Sequence, residues 1–257
     1  MSLEAFALRD KAALVLGASN PLGHAVAVAL AEAGAHVAAA TTLPSQHEEE
    51  AARACINETH KLGSKGFVQK IDTTKEEDVN ALVQRVVSEL RRLDILVNAH
   101  DFPFAKPLPE VNPVEWRRVL DINLTSVYLA CRAASGPMLS QGKGRIINVV
   151  SLLGERGMTN GSAYCAAQAG VLNLTRALSL EWARKGITVN VLGAGWTEGM
   201  GLIADNALKQ QLTRYIPHRR LAQPQEISGA AVYLASDAAG FVTGQVIWLD
   251  GGVRSRL

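Results

Sequence analysis

The sequence predicts an α/β protein in which helices flank one doubly wound, parallel β-sheet. Short apolar runs alternate along the chain with helical patterns of roughly ten or more residues, an order typical of this fold class. Several of the runs are β-branched, as in strands that are buried on both faces. The 257 residues are 48% hydrophobic and show no repeat or break in composition. A single domain over residues 1–257 is therefore expected.

The predicted elements follow one another in a regular order. The predicted strands lie at residues 12–16, 36–40, 66–71, 95–97, 145–150, 187–191 and 245–249. The helical patterns occupy residues 22–33, 48–62, 76–91, 113–139 and 162–185. Their alternation predicts that the strands lie parallel in one sheet.

Composition and charge exclude several classes of protein. Lys and Arg number 26 against 24 Asp and Glu, so no basic surface for nucleic acid is expected. An apolar stretch of about 18 residues, which a membrane span requires, is absent, and the first residues lack the apolar core of a signal peptide. The cysteines, Cys55, Cys131 and Cys165, fit free thiols in a reducing compartment, so we expect a cytoplasmic protein. No cluster has metal-ligand spacing, so no metal site is expected.

A turn of small residues joins the first strand to the first helix. Residues 17–23 read Gly-Ala-Ser-Asn-Pro-Leu-Gly. Such a turn lets backbone N–H groups and the helix N-terminus face a pyrophosphate. Asn20 and Pro21 also suit the N-cap and the first helical position. A tight turn without a ligand explains the same residues, because two glycines alone are weakly specific.

Further motifs follow this turn in order, at residues 94–98, 121–123, 146–151, 164, 243–245 and 250–252. Together with the turn they resemble the classical short-chain dehydrogenase/reductase family over nearly the whole chain. The resemblance implies a single Rossmann-type domain that binds NAD(H) or NADP(H). It also implies an active site at the carboxyl ends of the strands and a variable substrate lid at about residues 196–215.

The resemblance assigns catalytic roles to four positions. Ser151 matches the residue that hydrogen-bonds the substrate oxygen, Tyr164 the general acid, and Asn123 the residue that orders a proton-relay water. Gln168 stands where the family has lysine, four residues after Tyr164 and hence on the same helix face. The lysine holds the nicotinamide ribose and lowers the pKa of the tyrosine, whereas glutamine carries no charge. An unactivated tyrosine donates protons but is a poor base, so reduction of a carbonyl is expected to survive better than oxidation of an alcohol.

The resemblance also implies a set of cofactor-binding residues: Gly17, Ser19, Asn20, Leu22, Gly23, Thr41, Asp72, Asn98 and Gly195. An acidic residue at the end of the second strand favours NAD(H), but that position is Thr41, followed by Thr42. NADP(H) is therefore slightly preferred over NAD(H). The acidic run at 48–50 is interpreted as a solvated helix start.

Several residues depart from the family pattern around the cofactor. Pro21 replaces a glycine, residues 98–101 read Asn-Ala-His-Asp instead of Asn-Asn-Ala-Gly, and Gly199 stands where a threonine is often found. His100 and Asp101 are a titratable pair near the expected nicotinamide, or merely hydrogen-bond the loop.

Two functions remain open. The first is an NAD(P)(H)-dependent oxidoreductase acting on a small carbonyl or alcohol, impaired or altered by Gln168. The second is a catalytically silent subunit, without cofactor, that stabilises an active partner in a hetero-oligomer.

The retained catalytic positions favour the enzyme, whereas the departures favour the silent subunit. By resemblance, a homodimer or homotetramer is expected, formed through the two long helices at about 113–139 and 162–184 and the C-terminal strand. The second of these helices carries more apolar residues than one face of a sheet needs. All of them packing on the sheet is the simpler alternative.

Overall fold

The computed structural model describes residues 3–203 and 205–255. Within these residues, the centre is a sheet of seven parallel strands in the order β3-β2-β1-β4-β5-β6-β7. The strands are Ala12–Leu16 (β1), His36–Ala40 (β2), Val68–Gln69 (β3), Ile95–Asn98 (β4), Gly144–Ser151 (β5), Ile187–Ala194 (β6) and Val246–Leu249 (β7). The predicted doubly wound parallel sheet is confirmed.

Helices cover both faces of this sheet. They are Pro21–Glu32 (α1), Gln46–Lys61 (α2), Glu76–Leu90 (α3), Pro113–Leu120 (α4), Ser126–Gln141 (α5), Ser162–Trp182 (α6), Asn206–Tyr215 (α7) and Pro224–Ala235 (α8). One apolar cluster joins the sheet to α3, α5 and α6, and a second joins it to α1, α2 and α8. Burying a Val, Leu or Ile side chain contributes roughly 1.5–3 kcal/mol, so these two clusters stabilise the layers.

The predicted long helix at 113–139 is interrupted in the structure. A π-helical turn, Asp121–Thr125, separates α4 from α5, and the N–H of Ser126 bonds to the carbonyl of Asp121. The extra residue of such a turn re-aims the side chains around it. Asn123 lies within this turn and is buried.

Two helices, α7 and α8, were not predicted from the sequence. Helix α7 lies inside the segment expected to be a lid, and its Leu208, Leu212 and Tyr215 recur at helical spacing. Asp205 begins it by accepting a hydrogen bond from the Leu208 N–H at 2.7 Å. Strand β3 is also shorter than predicted. Beyond Gln69 the side chain of Thr41 bonds both backbone groups of Ile71, in place of a backbone ladder.

The crevice for a ligand lies where the strand order reverses. The chain runs from β1 outwards to β2 and β3, and then returns to β4 on the other side of β1. Sheets of this kind bind ligands at this point, beyond the carboxyl ends of the strands. A third apolar cluster, which includes Tyr164, Trp196 and Leu212, packs there. This arrangement places the ends of β1, β4, β5 and β6 around one space.

Candidate active site

A cavity of about 220 Å³ lies at the carboxyl ends of these strands. Its lining combines predicted residues with side chains from the loop after β4 and the segment after β6. The predicted ones are Asn20, Leu22, Ser151, Tyr164 and Gln168, and the others include His100, Asp101, Glu198 and Met200. The roof is formed by residues 197–201, which belong to the expected lid.

Tyr164, on α6, is fully buried, and its hydroxyl donates to Asp101 Oδ1 at 2.7 Å. Burial raises the pKa of Tyr164 well above its usual value of 10, and the Asp101 carboxylate raises it further. A hydrogen bond with Ser151 lowers this pKa. The groups that act on the pKa in the described part of the chain include no cation. Tyr164 is therefore protonated near neutral pH and can act as a proton donor.

Asp101 stands on the loop that follows β4. Burial raises the pKa of its carboxyl from 3.8 to about 6, and the hydrogen bond from Tyr164 lowers it. The carboxyl therefore gains or loses its proton close to neutral pH, in direct contact with the tyrosine.

Gln168 lines the cavity, but its side-chain oxygen is bonded within the protein. Its Oε1 accepts a hydrogen bond from the backbone N–H of Ser151 at 2.9 Å, and the side chain is only 4% exposed. The residue thus ties α6 to the end of β5. With the oxygen engaged, the amide nitrogen is the end of Gln168 that can donate to a bound molecule.

Asn123 holds the loop after Asp101. Its Oδ1 accepts from the Phe102 N–H at 2.9 Å, and its Nδ2 donates to the carbonyls of Phe102 at 2.9 Å and Val119 at 3.0 Å. The side chain therefore fixes the backbone next to Asp101. Its expected part in ordering a relay water stays a prediction.

His100 is buried beside the cavity. Its Nε2 lies 2.6 Å from Ser126 Oγ, which itself donates to the carbonyl of Ile122, so Nε2 is assigned as the donor. Its Nδ1 is buried and has no partner among the described residues. Burial lowers the pKa of His100 to about 4, so the ring is neutral. Both members of the His100–Asp101 pair line the cavity.

The turn at 17–23 is rigid and tightly packed. Gly17 has φ +81°, and a Cβ on it would lie 2.4 Å from the backbone nitrogen of His100. Asn20 caps α1 by accepting from the Gly23 N–H at 2.9 Å, and it donates to the carbonyl of Ala99 at 2.7 Å. The N-terminus of α1 therefore faces the crevice, where a helix end favours a phosphate group. These residues fit the pyrophosphate of a dinucleotide.

Glu48 requires a correction, because it is not a solvated residue of the helix start. Its Oε2 accepts from Ser19 Oγ at 3.1 Å, from the Thr42 N–H at 2.6 Å and from the Leu43 N–H at 3.3 Å. A carboxylate from α2 thus stands between the turn after β1 and the end of β2. The hydroxyl of Ser19, predicted to bind a cofactor, is bonded to this carboxylate.

Two other predicted cofactor residues, Thr41 and Asn98, have side chains that bond within the protein. Thr41 is fully buried against Ile71, to which it donates at 2.9 Å and from which it accepts at 3.0 Å. Asn98 points into the interior, where its Nδ2 donates to Asn148 Oδ1 at 2.7 Å. Neither side chain is among those lining the cavity. Any contact of these two residues with a cofactor would be through the backbone.

Asp72 and Gly195 also have local structural partners. Asp72 Oδ1 accepts from the N–H of Thr74 at 3.0 Å and from its hydroxyl at 2.6 Å. A Cβ on Gly195 would lie 2.5 Å from the Cα of Asp250, so β6 and the chain after β7 approach closely there. These contacts account for both residue types without a ligand.

The contacts of Glu48, which the sequence analysis misjudged, could have been suspected from a local sequence pattern. Ser45 and Glu48 form the Ser-x-x-Glu pattern of a capping box, and Ser45 Oγ accepts from the Glu48 N–H at 3.1 Å. That pattern places the glutamate at the helix start, where it can turn back toward β2. Asp101 had no such signal, since it contacts a tyrosine 63 positions away.

Comparison with known proteins identifies the class. A family model described as enoyl-(acyl carrier protein) reductase matches residues 17–254, and the chain belongs to the short-chain dehydrogenase/reductase family. The prediction of an oxidoreductase family is thereby confirmed.

Individual relatives cover the chain almost from end to end. The cis-4-hydroxycyclohexanecarboxylate dehydrogenase of Sinomonas cyclohexanicum is 39% identical over 253 residues, 97% of this chain and 98% of its own. A short-chain type dehydrogenase/reductase from Mycobacterium marinum is 32% identical, with a TM-score of 0.92 and 99% of each chain covered. A gluconate 5-dehydrogenase from Burkholderia cenocepacia J2315, solved with NADP and tartrate, is 30% identical, with a TM-score of 0.92 and both chains fully covered (100%).

Proposed function

We propose that the protein is an NAD(P)(H)-dependent oxidoreductase that interconverts a carbonyl and an alcohol on a small molecule, with reduction favoured. The observation that carries this proposal is the convergence of Ser151 and Tyr164 on one cavity beside the N-terminus of α1. The hydroxyls can meet a substrate oxygen, while the helix end and its glycine turn suit a pyrophosphate. Relatives solved with NADP support a nicotinamide cofactor.

The chain's own residues supply proton transfer and positioning. The cofactor, when bound, supplies or accepts a hydride at the substrate carbon. Ser151 donates a hydrogen bond to the substrate oxygen, and Tyr164 gives that oxygen a proton during reduction. Gln168 offers its amide nitrogen to a ribose hydroxyl without adding charge. In the part of the chain that the structure describes, no cation lowers the pKa of Tyr164, so a tyrosinate is scarce at neutral pH and oxidation needs a second group that takes the tyrosine proton.

The lining of the cavity favours a neutral, compact substrate. Asp101 and Glu198 are the acidic residues of the described lining, which contains no Lys or Arg. A substrate carboxylate would meet like charge there without a counter-ion. Pro103, Met200 and Leu22 supply apolar surface. We therefore propose a small uncharged ketone or aldehyde, and the corresponding alcohol, as the substrate class.

The lid must open for such a complex to form. A Cβ on Gly199 would lie 2.7 Å from Cγ of Pro21, so the roof rests on the turn after β1. The cavity of about 220 Å³ is smaller than the roughly 300–1,000 Å³ of typical ligand pockets. We propose that residues 196–215 act as the lid of one domain spanning residues 1–257.

The cysteines described in the structure are unpaired, which fits a reducing compartment such as the cytoplasm.

The position of Glu48 is the basis for proposing a cofactor preference opposite to the one expected from the sequence. That expectation of NADP(H) relied on the lack of an acid near Thr41, but the Glu48 carboxylate stands at the end of β2 and bonds Ser19. An acid in this region accepts hydrogen bonds from ribose hydroxyls. Like charges about 4 Å apart repel by roughly 1–4 kcal/mol, which would weaken binding of a 2′-phosphate. We propose that NAD(H) binds more tightly than NADP(H).

Titration with NADH and NADPH, followed by heat or fluorescence, tests the cofactor proposal. NADH is expected to bind at least about tenfold more tightly, and Glu48→Gln should bring the two affinities together. Glu50→Gln, which changes an exposed acid on the same helix, is the control and should leave the ratio unchanged. Tighter binding of NADPH by the wild-type protein would contradict the assignment of Glu48.

Loss of the general acid tests the catalytic proposal. Tyr164→Phe should reduce turnover of a panel of neutral ketones by about 10²–10⁴-fold without changing the affinity for NADH. Tyr128→Phe alters a tyrosine that is 45% exposed on α5 and should have no effect. Equal turnover in the Tyr164→Phe variant and the wild type would refute the role of Tyr164.

A silent subunit is the second candidate, and one observation favours it. Gln168 Oε1 is engaged by Ser151, and the tyrosine contacts an acid instead of a cation. If neither NADH nor NADPH binds at millimolar concentration, the oxidoreductase proposal fails. Co-purification with an active homologue would then support a hetero-oligomer.

We also propose that the protein assembles as a homodimer or homotetramer through α5, α6 and β7. Leu180 on α6 is 83% exposed, and Tyr128 and Leu139 on α5 are also exposed. Strand β7 is at the edge of the sheet and only partly buried. A second copy of the chain would cover these apolar groups and the open edge.

A further inference from the structure

We propose that Asp101 is a catalytic residue: its carboxyl supplies the proton that Tyr164 gives to the substrate in reduction, and it takes that proton back in oxidation. This inference rests on the proposed oxidoreductase function. It adds an acid–base group that the family pattern does not contain, since the family has glycine at this position of the loop after β4.

The contact between the two residues is fixed by the fold. Tyr164 Oη lies 2.7 Å from Asp101 Oδ1, and both residues line the cavity. The backbone directly after Asp101 is held at Phe102 by both ends of the Asn123 amide. The π-helical turn carries that asparagine. Asp101 is therefore in hydrogen-bonding contact with the atom whose proton is transferred.

The surroundings let Asp101 change its protonation state near neutral pH. His100 beside it is neutral, because burial lowers its pKa to about 4. Glu198 across the cavity is paired with Lys209 at 2.7 Å, and Arg118 lies over the Phe102 ring, 5.3 Å from its centre.

Cys165 neighbours Tyr164 on α6, and its thiolate form would raise the pKa of that tyrosine. Two causes act on the pKa of Asp101: burial raises it and the hydrogen bond from Tyr164 lowers it, and the resulting pKa is about 6. Among the described residues, no neighbouring cation therefore holds the carboxyl in its ionised form.

The two protonation states of Asp101 give Tyr164 opposite roles. When Asp101 is ionised, the tyrosine hydroxyl donates to it and has no proton to offer the cavity. When Asp101 is protonated, it can donate to Tyr164 Oη, and the tyrosine proton is then free to face a substrate oxygen. The same carboxyl thus selects between an acid and a base at the substrate.

Each direction of the reaction then balances. In reduction, the carbonyl carbon receives the hydride and its oxygen the proton of Tyr164. Tyr164 recovers a proton from Asp101, which becomes a carboxylate and is reprotonated by solvent. In oxidation, the alcohol proton moves to Tyr164, the tyrosine proton moves to the Asp101 carboxylate, and the hydride leaves to the oxidised cofactor.

A titration without substrate tests the coupling. In protein labelled at the aspartate carboxyl carbons, NMR should show one carboxyl titrating at about pH 6 that is missing in Asp101→Asn. Tyr164→Phe should move this titration to higher pH, because the tyrosine hydrogen bond lowers the pKa of Asp101. A titration that Tyr164→Phe leaves unchanged, or a carboxyl at an ordinary aspartate pKa, would overturn the proposal.

Kinetics then test the catalytic step. Wild-type reduction should fall about tenfold per pH unit above about pH 6, whereas oxidation should rise as the pH approaches 6 from below and level off above it. Asp101→Asn should lose this pH dependence and about 10²-fold or more in rate. Its NADH affinity should be unchanged, which separates failure of this proposal from failure of the oxidoreductase function. Asp10→Asn, at an exposed acid outside the cavity lining, is the control. A variant at Asp101 with the wild-type rate and pH profile would refute the relay.

Discussion

Replacing Gln168 by methionine tests whether this residue is part of the framework of the site. Methionine has a similar length but no acceptor, so the buried N–H of Ser151 would lose the partner that it now has at 2.9 Å. An unsatisfied buried donor costs about 1–3 kcal/mol. In a protein of this size, each 1 kcal/mol lowers Tm by roughly 2–4 °C. We therefore expect Tm to fall by about 2–12 °C.

Thermal unfolding followed by circular dichroism measures this change directly. Gln84→Met makes the same substitution at an exposed position of α3 and should leave Tm unaltered. A Gln168→Met protein as stable as the wild type would show that the bond to Ser151 contributes nothing, and position 168 would then matter only to a ligand.

Gln168→Lys adds a charge to the same loss of an acceptor. It should lower Tm by a similar amount, because the ammonium group cannot accept the Ser151 N–H. It should also lower the pKa of Tyr164 by about 1–3 units and raise the rate of alcohol oxidation. Tyrosinate absorbance, with Tyr164→Phe as the reference, measures the pKa. An unchanged pKa would mean that Asp101 neutralises the new cation.

Three further predictions concern packing, protonation and assembly. Gly17→Ala should lower the free energy of unfolding by more than about 1 kcal/mol, because Gly17 has φ +81° and a Cβ would lie 2.4 Å from His100 N; urea unfolding checks this. The folded-state pKa of Asp101 is raised, so its contribution to stability is present below pH 3.8 and lost as pH rises through about 6. Asp101→Asn should thus be more stable than the wild type at pH 8 but not at pH 4, as judged by Tm. Leu180→Glu should shift the protein to monomers in light scattering if α6 forms the interface, and an unchanged mass would exclude that interface.

The fold could be predicted because its strands are recognisable one at a time. Apart from Asn148, residues 146–150 are apolar and β-branched, and they are almost all buried between two helix layers. The interruption at Asp121–Thr125 was not predictable from periodicity, since a single extra residue in a helix leaves the apolar pattern nearly unchanged. Helix α7 was missed because its segment was interpreted as a lid, although Leu208, Leu212 and Tyr215 recur there at helical spacing.

The site was predicted less completely, because its side chains act through contacts that are distant in sequence. Ser151, Tyr164 and Gln168 could be placed together because they lie on adjacent elements with a family spacing. The partner of Tyr164 comes from 63 positions away, and that of Ser19 from 29 positions away. Only the folded chain shows which acid meets which hydroxyl. The expected NADP(H) preference considered the end of β2 and not the start of α2, so it did not include the Glu48 carboxylate, which bonds Ser19.

Gln168 and Asp101, the two unusual residues beside Tyr164, both leave the pKa of this tyrosine higher than the family residues would. Loss of the lysine at position 168 removes a cation that would lower the pKa of the tyrosine, and gain of Asp101 adds an anion that raises it. Each change alone would leave a conventional tyrosine under-activated as a base. Together they keep Tyr164 protonated and place beside it a carboxyl whose own pKa is about 6. Since both changes favour the protonated phenol, restoring the lysine alone would lower the pKa of Tyr164 but would leave the Asp101 anion beside it as an opposing influence. The site is therefore better described as a tyrosine–carboxyl pair than as a family site that has lost its lysine.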